Sequence, residues 1–260
     1  QNHHHRQRGA HNQKHVNNAT HNDNNYNRQK NQKGVPNPIE CYLEQRQIAT
    51  CIYAMQSMTM EKEEPRMLLQ VLTRAFNHEL RRGKEMIDES NVARIVYGLQ
   101  SMTCSSVGAR DRPVRAILQI ILSNLDKNIT KSFSGQHITM ISYGLKCMTS
   151  NTKEVRGLLG VLRAVLIHPD SSSTEVQNSY HQITNQNFAS ILYGLQGMHS
   201  VEPSVRSYLR ALLPRVACVD GGDKGQRHMN GQEVGMACFG LRLLSNYWPA
   251  VQSRVSMIAY

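Results

Sequence analysis

Arginine, lysine, glutamine and tyrosine side chains return at fixed spacing along this chain, and together they could grip a linear polymer. Five aromatic residues set the register: Tyr53, Tyr97, Tyr143, Tyr193 and Phe239. Three residues after each stands a long hydrogen-bonding side chain: Gln56, Gln100, Lys146, Gln196 and Arg242. With the aromatic counted as zero, positions −7, −3 and +4 hold Arg46, Thr50 and Ser57; Ser90, Arg94 and Ser101; Gln136, Met140 and Cys147; Gln186, Ser190 and Gly197; and Gln232, Met236 and Leu243. A constant scaffold carrying variable, mostly short polar side chains is how modular readers address single-stranded RNA one base per unit. The same row also fits an ordinary solvated face. Arg46, Thr50, Arg94, Gln100, Gln136, Lys146, Gln186, Ser190, Gln196 and Arg242 are therefore candidate nucleic-acid contacts.

Position +13 is Arg66, Arg156, Arg206 and Gln252, with Arg115 equivalent once a five-residue insertion near 103–111 is removed. In the first turn of a helix a cation opposes the dipole, so its recurrence asks for a reason. The guanidinium either meets phosphate or packs on a neighbour and bonds a carbonyl or carboxylate. The +3 side chain either bridges to the adjacent repeat or meets a ligand. The anchor tyrosine reads as a core residue with a hydrogen-bonded hydroxyl rather than a platform for bases.

Catalytic patterns are absent: no phosphate-binding glycine loop, no G-x-S-x-G and no H-E-x-x-H. No cofactor is expected, and no metal site. Half of the twelve histidines lie within residues 1–37, and a metal at His3, His4 and His5 would be adventitious. The six cysteines form no Cys-x-x-Cys pair, which fits reduced thiols in a reducing compartment. No apolar run approaches the length of a membrane span, so no membrane role is expected. Thirty Lys and Arg against nineteen acids give a formal charge of +11, which favours an acidic partner.

The elements that must position these residues are helical hairpins. QIATCIYAMQSM (47–58), NVARIVYGLQSM (91–102), HITMISYGLKCM (137–148), NFASILYGLQGM (187–198) and EVGMACFGLRLL (233–244) align without gaps. Their anchors are 44, 46, 50 and 46 residues apart, a period suited to a two-helix unit. Apolar residues at −5, −2, +2 and +5 form one helical stripe. Position −9 holds Glu44, Asp88, Ser134, Thr184 and Asn230, and four of these five are good N-caps. Position +1 is Gly in four copies, which implies close approach of a neighbouring helix backbone. A leucine-rich second helix follows in each copy, with Pro65, Pro113, Pro203 and Pro249 at or near its first turn. Residues 1–37 hold ten Asn, five Gln and six His and cannot offset their ordering entropy.

The expected architecture is all-α: a superhelical α-solenoid of about five two-helix repeats over 38–260, behind a disordered Asn/Gln/His-rich tail over 1–37. The repeats fall near 44–82, 88–127, 134–168, 184–218 and 230–260. The last is truncated, so the chain is expected to be incomplete, and any targeting peptide would lie upstream.

The pairing of segments such as ILYGLQGM (191–198) with VRSYLRALLPRV (205–216) resembles the octotricopeptide and heptatricopeptide helical repeats of organellar RNA-binding proteins, across roughly 43–260. The chain departs from that family in lacking a Pro-Pro-Pro-Glu-Trp stretch and in its longer period. The resemblance implies a non-catalytic RNA-binding module acting in RNA processing, stability or translation, in a mitochondrion or plastid and otherwise in the cytoplasm. The rival expectation is a protein–protein scaffold of the armadillo or HEAT sort, holding a peptide in the same groove.

Overall fold

Each repeat begins at a capped helix start. The computed structural model describes residues 43–82, 86–104, 108–125, 133–167, 183–216, 229–242 and 244, all within one compact unit, Tyr42–Tyr260. The residues at −9 are the N-caps of all five first helices: α1 (Gln45–Ala54), α3 (Glu89–Gly98), α5 (Gly135–Gly144), α7 (Asn185–Gly194) and α9 (Gly231–Leu241). Asp88, Ser134, Thr184 and Asn230 accept a backbone N–H of the first turn through the side chain. Three residues on, Gln47 Oε1, His137 Nδ1 and Glu233 Oε2 accept the cap's own N–H at 2.9, 3.4 and 2.8 Å. His137 plays this part with an imidazole nitrogen where the other two use a side-chain oxygen. Accepting at Nδ1 puts the ring proton on Nε2, which lies 3.3 Å from Ser90 Oγ of the preceding repeat.

The second helices are α2 (Glu63–Arg82), α4 (Arg112–Asn124), α6 (Lys153–Ile167) and α8 (Pro203–Leu212). Among the described residues the protein is all-helical, with two isolated bridge pairs and no strand. First helices pack in order, α1 on α3, α3 on α5, α5 on α7 and α7 on α9; second helices follow, α2 on α4, α4 on α6 and α6 on α8. The core lies between the two layers and runs without a break from Ile48 to Leu244. Leu158, Leu159, Leu162, Val165 and Leu166, the expected stripe of α6, are all in it.

The glycines at +1 explain the spacing of the first layer. A methyl group on Gly98 would strike the carbonyl of Ile52; on Gly144, that of Val96; on Gly194, that of Ser142; on Gly240, that of Leu192. Each struck carbonyl is position −1 of the repeat before. Ala54 occupies the same position in the first copy and is exposed.

Two expectations need correction. The first helices stop at +1 in the first four copies, not at +5. Positions +2 to +5 form a turn with i→i+3 bonds such as Met148 N to Leu145 O at 2.9 Å, and a threefold turn still brings Leu145 and Met148 inward. Their glycines are therefore the last helical residues rather than mid-helix ones. The anchor aromatics, moreover, are not core residues. Tyr53 is 37% exposed, Phe239 43%, and the three between are half-buried. The tail at 1–37, the loops 168–182 and 219–228, and the fifth second helix at 249–260 lie outside the described residues.

Candidate ligand-binding face of the first helices

A helix turns about 100° per residue, so position zero sits about 180° from the centre of the −5/−2/+2/+5 stripe. That angle puts the anchor rings on the open side of the first layer, between positions +3 and −7. The rings form one continuous ladder. Tyr53 stacks on Tyr97 at 5.5 Å between centroids, Tyr97 on Tyr143 at 5.6 Å, Tyr143 on Tyr193 at 5.7 Å, and Phe239 follows Tyr193 at 5.7 Å. The sequence reading missed this row, although the helical angle alone could have found it.

Mutual stacking covers both faces of each interior ring, leaving edges and hydroxyls toward the open side. A base therefore has no free face to lie on at Tyr97 or Tyr143. Among the described residues no hydrogen bond reaches any of the four ladder hydroxyls. Burial pushes the Tyr143 phenol above its ordinary range, as do the neighbouring Tyr193 and Tyr97 and, least, Cys147. It stays protonated, a donor.

Cations flank the ladder. Lys146 Nζ lies 5.3 Å from the centroid of Tyr143, and the guanidinium of Arg242 lies 4.4 Å from that of Phe239. Arg46 is exposed and Arg94 half-buried. Across positions −7, −3, 0, +3 and +4 of all five copies there are four cations and no carboxylate. Gln136 and Gln186 are exposed, Ser190 is half-buried, and exposed Thr50 bonds its own helix at Arg46 O, 2.8 Å away.

Other expected contacts are engaged elsewhere. Gln100 is buried and donates to Gln56 Oε1 at 3.1 Å, joining two repeats, whereas Gln196 is half-buried. At +4, Ser101 donates to the Gln56 carbonyl at 2.7 Å, and a side chain on Gly197 would strike the Met148 carbonyl. Packing, not ligand choice, sets the small size of those two residues. Met140 and Met236 lean on the core. The side chain of Leu243 lies outside the described residues.

The arginines at +13 face the hairpin turns. Arg156 Nη1 donates to Ser150 O and Asn151 O at 3.1 and 2.9 Å; Arg206 Nη1 donates to Ser200 O and Val201 O, both at 3.0 Å. Arg115 Nη2 reaches Gly108 O at 3.4 Å, and Arg66 is half-buried at the equivalent place. Reaching back to turn carbonyls gives Arg115, Arg156 and Arg206 an acceptor despite their place near a helix N-terminus.

No group of three metal-ligating side chains occurs among the described residues, and none of their helices is long and apolar enough to cross a membrane. Comparison with protein-family models, with curated proteins and with solved structures found no match.

Proposed function

We propose that the chain is a non-catalytic α-solenoid module that binds single-stranded RNA along its first-helix layer. One observation carries the reading: a half-exposed aromatic ladder with Lys146 and Arg242 over its rings, Arg46 and Arg94 at positions −7 and −3 of the same helices and no carboxylate at positions −7, −3, 0, +3 and +4, in a protein of net charge +11. Arg46, Arg94, Lys146 and Arg242 neutralise phosphates, which gives affinity without sequence choice. Gln136, Gln186, Ser190 and the tyrosine hydroxyls supply the hydrogen bonds that position the strand. The resemblance of the repeat segments to organellar helical repeats supports RNA processing, stability or translation within a mitochondrion or plastid as the setting.

The rival reading is a peptide scaffold, and the covered faces of the interior rings favour it. Edges and hydroxyls suit an extended backbone, whereas sequence-tolerant RNA binding commonly stacks bases on open rings. Fluorescence anisotropy with single-stranded RNA homopolymers across a salt series separates the two. RNA affinity falls steeply with salt, and replacing Arg46 and Arg94 with Glu weakens binding and lowers the logarithmic salt slope by about 2. Unchanged affinity in that folded double variant removes the row from consideration, and a flat salt response points to the peptide.

A further inference from the structure

The first repeat exposes a second-helix position that the next three repeats bury. Second helices align through their +13 arginines, so Leu68 corresponds to Ile117, Leu158 and Tyr208. Those three are 0, 1 and 0% exposed, while Leu68 is 43% exposed. Tyr208 shows what covers this position inside the stack: its hydroxyl shares a 2.7 Å hydrogen bond with Ser142 of the preceding repeat. Met67 corresponds to Gly157, where an added side chain would meet Leu122 of α4. Met67 and Val71 are 53 and 56% exposed. Beside them Met58, Pro65 and Leu68 line a groove of about 680 Å³.

Another repeat in the same geometry cannot cover this end. Wherever one repeat follows another, the +1 residue is Gly because a methyl group would strike the preceding carbonyl. Ala54 carries that methyl, so the surface rejects the head-to-tail contact used within the array.

The charges of α2 indicate what does fit. Glu63 and Glu64 lie one turn before Met67 and Leu68; Arg74 lies about one turn after Val71, and Arg81 two turns further. All four are exposed and fall on the apolar side of the helix. The face is therefore acidic at one end, apolar in the middle and basic at the other. We propose that it is a self-association surface: a second copy docks across a two-fold axis near Val71, with the two α2 helices antiparallel. That arrangement sets each acidic end against a basic end and buries both apolar centres, as an isologous interface requires.

Sedimentation velocity of the full chain tests this, with far-UV circular dichroism to confirm folding. The expected result is a concentration-dependent dimer at micromolar protein. Leu68→Glu with Val71→Glu raises the dissociation constant roughly thirtyfold or more and leaves helix content unchanged. Glu63→Lys with Glu64→Lys, and Arg74→Glu with Arg81→Glu, each yield monomers alone, and mixing these two variants restores the dimer. A chain that stays monomeric at high concentration overturns the proposal. So do open-ended oligomers, a dimer that survives Leu68→Glu with Val71→Glu, or folded charge variants whose mixture fails to pair. This face belongs to the second layer, so the RNA assay above neither supports nor sinks it.

Discussion

The two helix layers are held by different means. First helices touch through backbone: a glycine at +1 lies against a carbonyl at −1, four times over. Second helices touch through side chains, and their described lengths range from 10 to 20 residues, against 10 or 11 for the first helices. A backbone contact admits one distance and therefore one helix pattern. Side-chain contacts can be repacked, so the second layer tolerates variation in length and sequence. The first layer sets the register of the array, and the second supplies most of the variable bulk.

The sharpest way to break this comparison is Gly144→Val. The carbonyl of Val96 cannot yield as a flexible side chain does, and a loss of about 4 kcal/mol or more in denaturant unfolding is expected. A loss under about 1 kcal/mol would show that the first layer is as adaptable as the second. Leu159→Ala in the second layer removes a fully buried side chain and should cost about 3 kcal/mol, since its neighbours can partly close the cavity.

Tyr208→Phe cuts one hydrogen bond between the layers and leaves the Ser142 hydroxyl buried without it; about 1–2 kcal/mol is expected. At the Cys104 turn, the thiol is pushed up from 9.0 to about 11, chiefly by burial, with Glu154 and Asp111 adding and Thr152 and Arg115 opposing. The folded protein thus holds that proton more tightly than the unfolded chain. Its contribution to stability is full below about pH 9 and is lost as pH rises through about 11. Alkylation at pH 8 should label the exposed Cys51, Cys147 and Cys238 and spare Cys104 until denaturant is added. The smallest effect has the opposite sign. Gly160 in α6 has nothing within 4 Å of an added side chain, so Gly160→Ala should stabilise by about 0.5–1 kcal/mol.

The same contrast explains what the sequence disclosed. Caps and close contacts need particular residue types, so four of the five N-caps and the meaning of the +1 glycines were legible, while Glu44 is not a typical cap residue. The +1 position was nevertheless misplaced within its helix, because a threefold turn at +2 to +5 keeps the apolar spacing of a helix. Tyrosine at zero departs from expectation for a different reason: an aromatic residue suggests burial, whereas its helical angle sets it on the open side. A bridge between repeats at +3 and a carbonyl partner at +13 were each one of two readings the residue types offered, and Gln100 with Gln56, and Arg115, Arg156 and Arg206 with turn carbonyls, take them; the contact of Ser101 with the Gln56 carbonyl is one that periodicity does not encode. Second-helix lengths were equally hidden, since a leucine-rich stripe carries no stop signal of its own.

The ladder has a consequence for observing the molecule. Its successive ring planes meet at 19°, 19°, 28° and 31°. Coupled phenols absorb as a group, and their near-ultraviolet dichroism varies with the angle between them. The protein thus carries its own strain gauge: any binder that straightens or tightens the row will register in tyrosine optics without an added label.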